Sequence, residues 1–236
     1  MQVASKIILW NDTFSGKGTV LAVEPSVGNM TVTICSGTLA EGSDSVTIDW
    51  GDGTKESRAG ISMARHTYTR AREYRITISD DLKSFGFSDS SQSVRQRDVL
   101  RELLCLGSKI TSISGYAFNN CHNMRGVMNL PNVTNIGGYA FGTTLGITDF
   151  ILPSLQRVVQ TSFYAGPSPT QIHIDNATQI DSRFWEYYGG HLTDMYIRGK
   201  TRQQIRAMSG FPFYARGTGV RFHGSDGIVL ADGTFV

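Results

Sequence analysis

Apolar and polar residues alternate in four stretches before residue 80: Thr19–Val23, Met30–Ile34, Val46–Trp50 and Tyr74–Ile78. Each stretch places its apolar side chains on one face, which is what a half-buried antiparallel strand requires. Asp52-Gly53 comes directly after the third stretch. An Asp-Gly pair tolerates the positive φ angles of a tight hairpin turn. The first third of the chain is therefore predicted to be a small two-layered β unit covering residues 1–83, with an N-terminal arm.

The period then changes. Residues 84–93 are serine-rich and aperiodic, so they read as a linker, with Phe85 and Phe87 anchored on a neighbouring core. Val94, Val99, Leu100, Leu103, Leu104 and Leu106 keep helical spacing. Ser93 with Gln96 three residues on forms a capping-box pattern, and Gly107 stands where a helix would end. The spacing predicts a helix of about three turns that closes the N-terminal end of the next unit, with linker and helix together covering residues 84–107.

From residue 108 onward the chain repeats itself. An apolar residue with a large aromatic five places later recurs as Ile113/Phe118, Ile136/Phe141, Val158/Phe163 and Ile180/Trp185, so the aromatics are spaced by 23, 22 and 22 residues. An alternating apolar pair keeps the same step: Met128/Leu130, Phe150/Leu152, Ile172/Ile174 and Met195/Ile197. Two features in one register point to a coil of stacked units, each too small to bury its own face. The pair is predicted to form a strand and the aromatic to fill the opposite wall. A period in the low twenties lies in the leucine-rich-repeat range. About four repeats are expected over residues 108–200.

Residues 201–236 read as a C-terminal cap. A short helix from Thr201 to Met208 has Thr201 at its N-cap and Gln204 three on. An apolar plug comes next at Phe211-Pro212-Phe213-Tyr214. Short strands at Val220–Phe222, Ile228–Ala231 and Thr234–Val236 are separated by Ser225-Asp226-Gly227 and Asp232-Gly233 turns.

Composition agrees with a chain that turns often: 26 glycines against six prolines, and only 18% charged residues. A net charge of +2 is too small for a nucleic-acid footprint, and the arginine clusters at 65–75 and 95–101 read as solvated faces. Cys35, Cys105 and Cys121 are odd in number and widely spaced, and each reads as a small buried hydrophobe. No stretch approaches the roughly 18 apolar residues of a membrane span. Met1–Trp10 carries an apolar run of only four residues, too short for a secretion signal. The chain is thus expected at a cell surface if a leader was removed, and otherwise in a virion.

Two resemblances sharpen this picture. Trp50-Gly51-Asp52-Gly53-Thr54, then His66-Thr67-Tyr68 and the alternating Tyr74–Ile78, resemble the PKD family of immunoglobulin-like sandwiches over residues 28–80, although Arg72-Glu73 replace the usual glycine. Ile113-Ser-Gly-Tyr-Ala-Phe-Asn-Asn-Cys121 and Ile136-Gly-Gly-Tyr-Ala-Phe141 resemble the BspA-like leucine-rich repeats of bacterial surface proteins. Together they imply a mainly β protein: a PKD or immunoglobulin-like β-sandwich leading into a short leucine-rich-repeat-like β-solenoid, with a helical N-cap and a helix and β-hairpin C-cap.

No phosphate loop, zinc-ligand pair or nucleophile elbow is found, and no catalytic residue, metal or cofactor is expected. Asp49, Asp52 and His66 read as structural, with Asp52 bonding back to its own turn. The five histidines fall on different repeats or units. Tyr116, Tyr139, Tyr164, His173, Tyr187 and Tyr188 form a candidate ligand platform, with Trp185 and Tyr196 as further aromatic candidates; Tyr116 and Tyr139 share one repeat position and are expected to stack. The expected function is non-catalytic adhesion or display, with protein or glycan partners and neither nucleic acid nor membrane insertion. A phage decoration or fibre component is the alternative reading, and a glycan-processing enzyme, which needs facing carboxylates, the remote one.

Overall fold

A computed structural model describes residues 18–88, 97–159, 161–163, 169–181, 192–213 and 219–236. The described chain is mainly β. Strands β1 (Thr19–Val23), β2 (Met30–Ile34), β4 (Val46–Asp49) and β7 (Tyr74–Ile78) lie where the alternation places them. Strands β3 (Ser36–Leu39), β5 (Lys55–Arg58) and β6 (Ala64–Tyr68) lie between them. β4, β5, β7 and β1 belong to one antiparallel sheet, and β2 pairs with β6 in another. The inner residues of both sheets, among them Leu21, Val32, Ile48, Tyr68 and Ile76, share one buried core.

The linker and N-terminal capping helix expected over residues 84–107 are overturned at both ends of that range. Leu82–Gly86 is strand β8, which pairs antiparallel with β3 and parallel with β10 (Ser112–Ile113). Leu100–Cys105 is strand β9, antiparallel to β1. The cause of the misreading is visible in the register. β1 residues Val20, Leu21, Ala22 and Val23 face Cys105, Leu103, Glu102 and Leu100, so Leu104 and Arg101 are extra residues in two bulges. Each bulge adds one residue to the alternation, and the buried positions Leu100 and Leu103 end up three apart, imitating a helix. Gly107 is not a helix terminus. Its N–H donates to Thr19 Oγ1 at 3.0 Å, and a Cβ there would lie 2.6 Å from Asp80 Oδ1. The capping-box pair Ser93 and Gln96 lies outside the described residues.

Beyond β9 the chain winds into two parallel walls. The short wall stacks two-residue strands: β10, β12 (Asn135–Ile136), β14 (Arg157–Val158) and β16 (Gln179–Ile180). The long wall stacks β11 (Arg125–Asn129), β13 (Gly146–Ile151), β15 (Gln171–His173), β17 (Asp194–Tyr196) and β18 (Arg221–Gly224), and ends in the hairpin partner β19 (Gly227–Leu230). One inward residue per rung is held in register along the long wall: Met128, Phe150, Ile172, Met195 and Phe222. Across the interior, the rings of Phe118, Phe141 and Phe163 stack at 5.3 and 5.6 Å, while Phe150 meets Phe141 and Phe163 edge-on.

Every repeat-core residue predicted from the sequence that lies among the described residues is buried: Ile113, Phe118, Ile136, Phe141, Val158, Phe163 and Ile180. Trp185 lies outside the described residues. The turns between walls bond forward to the next rung. Tyr116 N–H reaches Gly138 O and Phe118 N–H reaches Ala140 O, and Tyr139 and Phe141 repeat the pattern onto Thr161 and Ser162. Gly137 is required by closeness rather than by dihedral angle, because a Cβ there would lie 2.5 Å from the Gly115 nitrogen of the previous rung.

Strand β18 carries the rung stack past residue 200, where the cap was expected to begin. Helix α1 (Arg202–Arg206) starts at Thr201, whose side chain accepts from Gln204 N–H while the Gln204 side chain accepts from Thr201 N–H. The helix lies against β18 and β19. Phe211 and Phe213 pack on Phe222, and Val229 bridges to Phe235 so that the chain end runs beside β19.

Candidate binding face

In every long-wall strand, the residues flanking the buried position point away from the interior. Register turns them into two rows. One runs Val127, Asp149, Gln171, Asp194, Arg221 and the other Asn129, Ile151, His173, Tyr196, His223. The second row contains a continuous ring stack. His173 and Tyr196 lie 4.2 Å apart with 8° between planes, and Tyr196 and His223 lie 4.3 Å apart with 21°. The Arg198 guanidinium carbon sits 4.5 Å from the Tyr196 ring centre.

Asp194 anchors this face. It is 3% exposed, and its carboxylate accepts from the Arg221 guanidinium at 2.7 Å and from the Thr193 hydroxyl at 2.8 Å, with His223 Nε2 2.5 Å from Oδ1. Burial pushes its pKa up, but the hydrogen bonds from Arg221, His223 and Thr193 outweigh this and leave it below the usual carboxylate range. It is therefore a charged, fully engaged pin rather than a proton donor. His173 goes the other way. Burial, reinforced by Arg198 and His223 and opposed by Asp175 and Asp149, lowers its pKa and keeps it neutral at pH 7.

The predicted platform is divided between surfaces. Tyr116 and Tyr139 do stack, at 5.2 Å and 8°, but they lie in the turns after β10 and β12, whereas His173 ends a long-wall strand. Both tyrosines have positive φ, 59° and 57°. A left-handed conformation costs a non-glycine residue about 1–2 kcal/mol, which the stack and the forward hydrogen bonds offset. Tyr164, Tyr187 and Tyr188 lie outside the described residues.

Sequence reasoning named His173 and Tyr196 as candidates but missed Asp194, Arg198, Arg221 and His223 as a group with them, since it assigned the histidines to separate repeats and units. The signal was present: His173, Tyr196 and His223 each come directly after a buried long-wall residue (Ile172, Met195, Phe222). It was hidden because the last step, from Met195 to Phe222, is lengthened by α1 and the phenylalanine plug.

In the N-terminal unit, Asp52 Oδ1 accepts from Thr54 N–H at 3.1 Å and from its hydroxyl at 2.6 Å, and Oδ2 lies 2.7 Å from His66 Nε2. His66 stacks on Trp50 and meets Tyr68 edge-on, and the Tyr68 hydroxyl donates to Trp50 O at 2.7 Å. These groups spend their bonding on one another. A cavity of about 500 Å³ adjoins the end of the short wall, lined by Arg157, Thr161, Gln179, Ile180, Asp181 and Met208 among others. Among its described lining residues Asp181 is the one carboxylate.

Two walls of parallel strands coiled at a 22 to 23 residue period define a leucine-rich-repeat β-solenoid. Residues 101–207 match, in six copies, the family model described as the BspA type leucine rich repeat region, and this stretch carries repeats of that type. The match starts within β9, ahead of the four repeats expected over 108–200. No curated protein and no solved structure matches the chain. Repeats of this kind are common in surface and adhesion proteins and are typically non-catalytic. Among the described residues no helix is long and apolar enough to cross a membrane.

Proposed function

We propose that the protein is a non-catalytic recognition module of a bacterial surface that binds its partner through the outer face of the long wall. The observation that carries this reading is the alignment of Gln171, His173, Tyr196 and Arg198 on two adjacent rungs, beside an Asp194 whose bonding is complete. A rigid sheet that presents a row of polar groups is suited to positioning contacts on a ligand. The N-terminal unit is read as a PKD-like, immunoglobulin-like sandwich. The Trp50-to-Thr54 turn, the His66 stack and the bond from Tyr68 to Trp50 support that reading. Its role would be to hold the solenoid away from the surface that carries it.

The test is an array of purified extracellular-matrix proteins and oligosaccharides. The wild-type chain should retain at least one ligand, and a His173→Ala/Tyr196→Ala variant should lose it while unfolding cooperatively. An Asn135→Ala/Arg157→Ala variant of the short wall should bind as wild type. Ligands lost only in the short-wall variant would overturn the assignment of the face.

A further inference from the structure

The chemistry of the long-wall face specifies a class of ligand, an inference that rests on the reading of this face as the binding surface. Four features bear on it. First, the rings do not offer a flat platform: both neighbours of Tyr196 in its row, His173 and His223, stack on it within 4.3 Å. What the row turns outward is ring edges, which carry the imidazole nitrogens and the phenol hydroxyl.

Second, the groups nearest that row have bonding capacity left. Among the described residues, the Gln171 side-chain amide, the His173 ring nitrogens and the Tyr196 hydroxyl make no side-chain hydrogen bond. All three residues are half-buried, so the row is held in place rather than waving in solvent. Third, the face mixes both signs of charge. The Asp194 carboxylate is paired with the Arg221 guanidinium and bonded by His223, while Asp149 stands beside Gln171 and Asp175 accepts the backbone N–H of Arg198. Among the described residues of this face there is no block of one sign to draw in a strongly charged ligand. Fourth, the pattern is periodic. Rungs of a parallel wall repeat at about 4.8 Å, which is close to the length of one sugar ring in a linear chain.

We infer that the outer face of the long wall binds a neutral, linear oligosaccharide laid across the rungs, with its hydroxyls bonded by Gln171, His173, Tyr196 and Arg198. A protein partner is disfavoured by the same geometry. Interface hot spots are built on large side chains whose faces enter a partner's pocket, and here the ring faces are already spent on one another. Sugar hydroxyls, which both donate and accept, match amide, imidazole and phenol edges.

The experiment uses the full chain on immobilised neutral oligosaccharides of glucose, mannose, galactose and N-acetylglucosamine, three to six units long. Parallel arms carry acidic oligosaccharides and extracellular-matrix proteins. Tyr196→Phe removes the hydroxyl and keeps the stack. It should weaken binding of a neutral oligosaccharide about three- to tenfold, the range expected for one uncharged hydrogen bond. Gln171→Ala should do the same, and neither should change the melting temperature. Longer oligomers should bind more tightly than trimers until the row is filled.

Neutral oligosaccharides bound equally by wild type and Tyr196→Phe, or not bound at all, would overturn the inference. If matrix proteins or acidic oligosaccharides are instead the ligands lost in these variants, the binding face stands and the neutral-sugar assignment fails. If no ligand in any arm depends on the long wall, the reading of the face fails with it.

Discussion

Asp194 and His173 show how single positions set the character of the long-wall face. Removing the Asp194 charge as Asp194→Asn weakens three bonds at once and leaves Arg221 and His223 poorly partnered on a buried group. The expected loss of stability is about 2 kcal/mol, measured by denaturant unfolding. His173 contributes the opposite pH sign from a salt-bridged histidine. Its folded pKa is depressed, so below the unfolded value of about 6.5 the unfolded chain binds the proton more readily. Its contribution is thus complete above that value and is lost as pH falls. The melting temperature should drop between pH 7 and pH 5, and His173→Gln should flatten that slope; an unchanged slope would refute the assignment. Asp52 acts at lower pH. Burial raises it, but the bonds from Thr54 and His66 prevail and hold it at about 2. Its contribution is present above about pH 4, the ordinary carboxylate value, and disappears as pH falls through about 2. Asp52→Asn should remove it. The residue scale was partly legible in sequence. Asp52 bonding to its own turn follows from the Asp-Gly pair, whereas the Asp194 cluster depends on a coil that brings positions from two rungs, 27 and 29 residues apart in sequence, together.

At the scale of elements, the clearest signals came from strands with one wet and one dry face. β4 and β7 alternate because each presents a single face to the core, β2 does so only over its first half, and β1, flanked by β7 and β9, is buried at every position. β5, with the sequence Lys-Glu-Ser-Arg, has no apolar side to read and exists because β4 supplies its hydrogen bonds. A charged edge strand of this kind also discourages pairing with other chains. β9 was illegible for a different reason, since its two bulges stretch the alternation into a helix-like spacing. Within the solenoid the rungs are held by close backbone approach and ring packing. Gly137→Ala would force a methyl within 2.5 Å of the neighbouring backbone, and it should cost more than about 1 kcal/mol. Gly60→Ala meets nothing within 4 Å and should be nearly neutral. Phe141→Ala removes the middle ring of the stack and should cost about 3–5 kcal/mol. Equilibrium unfolding of the three variants checks the order.

For the whole molecule, the junction is a shared structure and not a tether. β8 is at once the partner of β3 and the first rung of the short wall, and β9 pairs with β1 while lying next to β11 on the long-wall side. The N-terminal unit therefore closes the solenoid at the end where a helix was expected. Backbone groups of a first rung need a partner; on the short wall β3 provides it for β8, and on the long wall β9, held by β1, packs beside β11. Limited proteolysis should leave residues 82–88 uncut, and fluorescence from Trp50, isolated in a Trp10→Phe/Trp185→Phe background because the chain has three tryptophans, should report the same unfolding midpoint as far-ultraviolet circular dichroism of that variant. Cleavage there, or two separate midpoints, would show a hinge. The sequence reveals both units but not their fusion, because pairing between β1 and β9 links residues far apart in the chain and leaves no periodic trace.

Hydrogen–deuterium exchange with and without a bound array ligand tests most directly where this molecule meets its partner. Binding at the long wall predicts slowed exchange concentrated in Gln171–His173, Asp194–Tyr196 and Arg221–Gly224, with β10, β12 and β14 unchanged. Protection centred on the short wall or on β2 and β6, with the long wall unaffected, would contradict it.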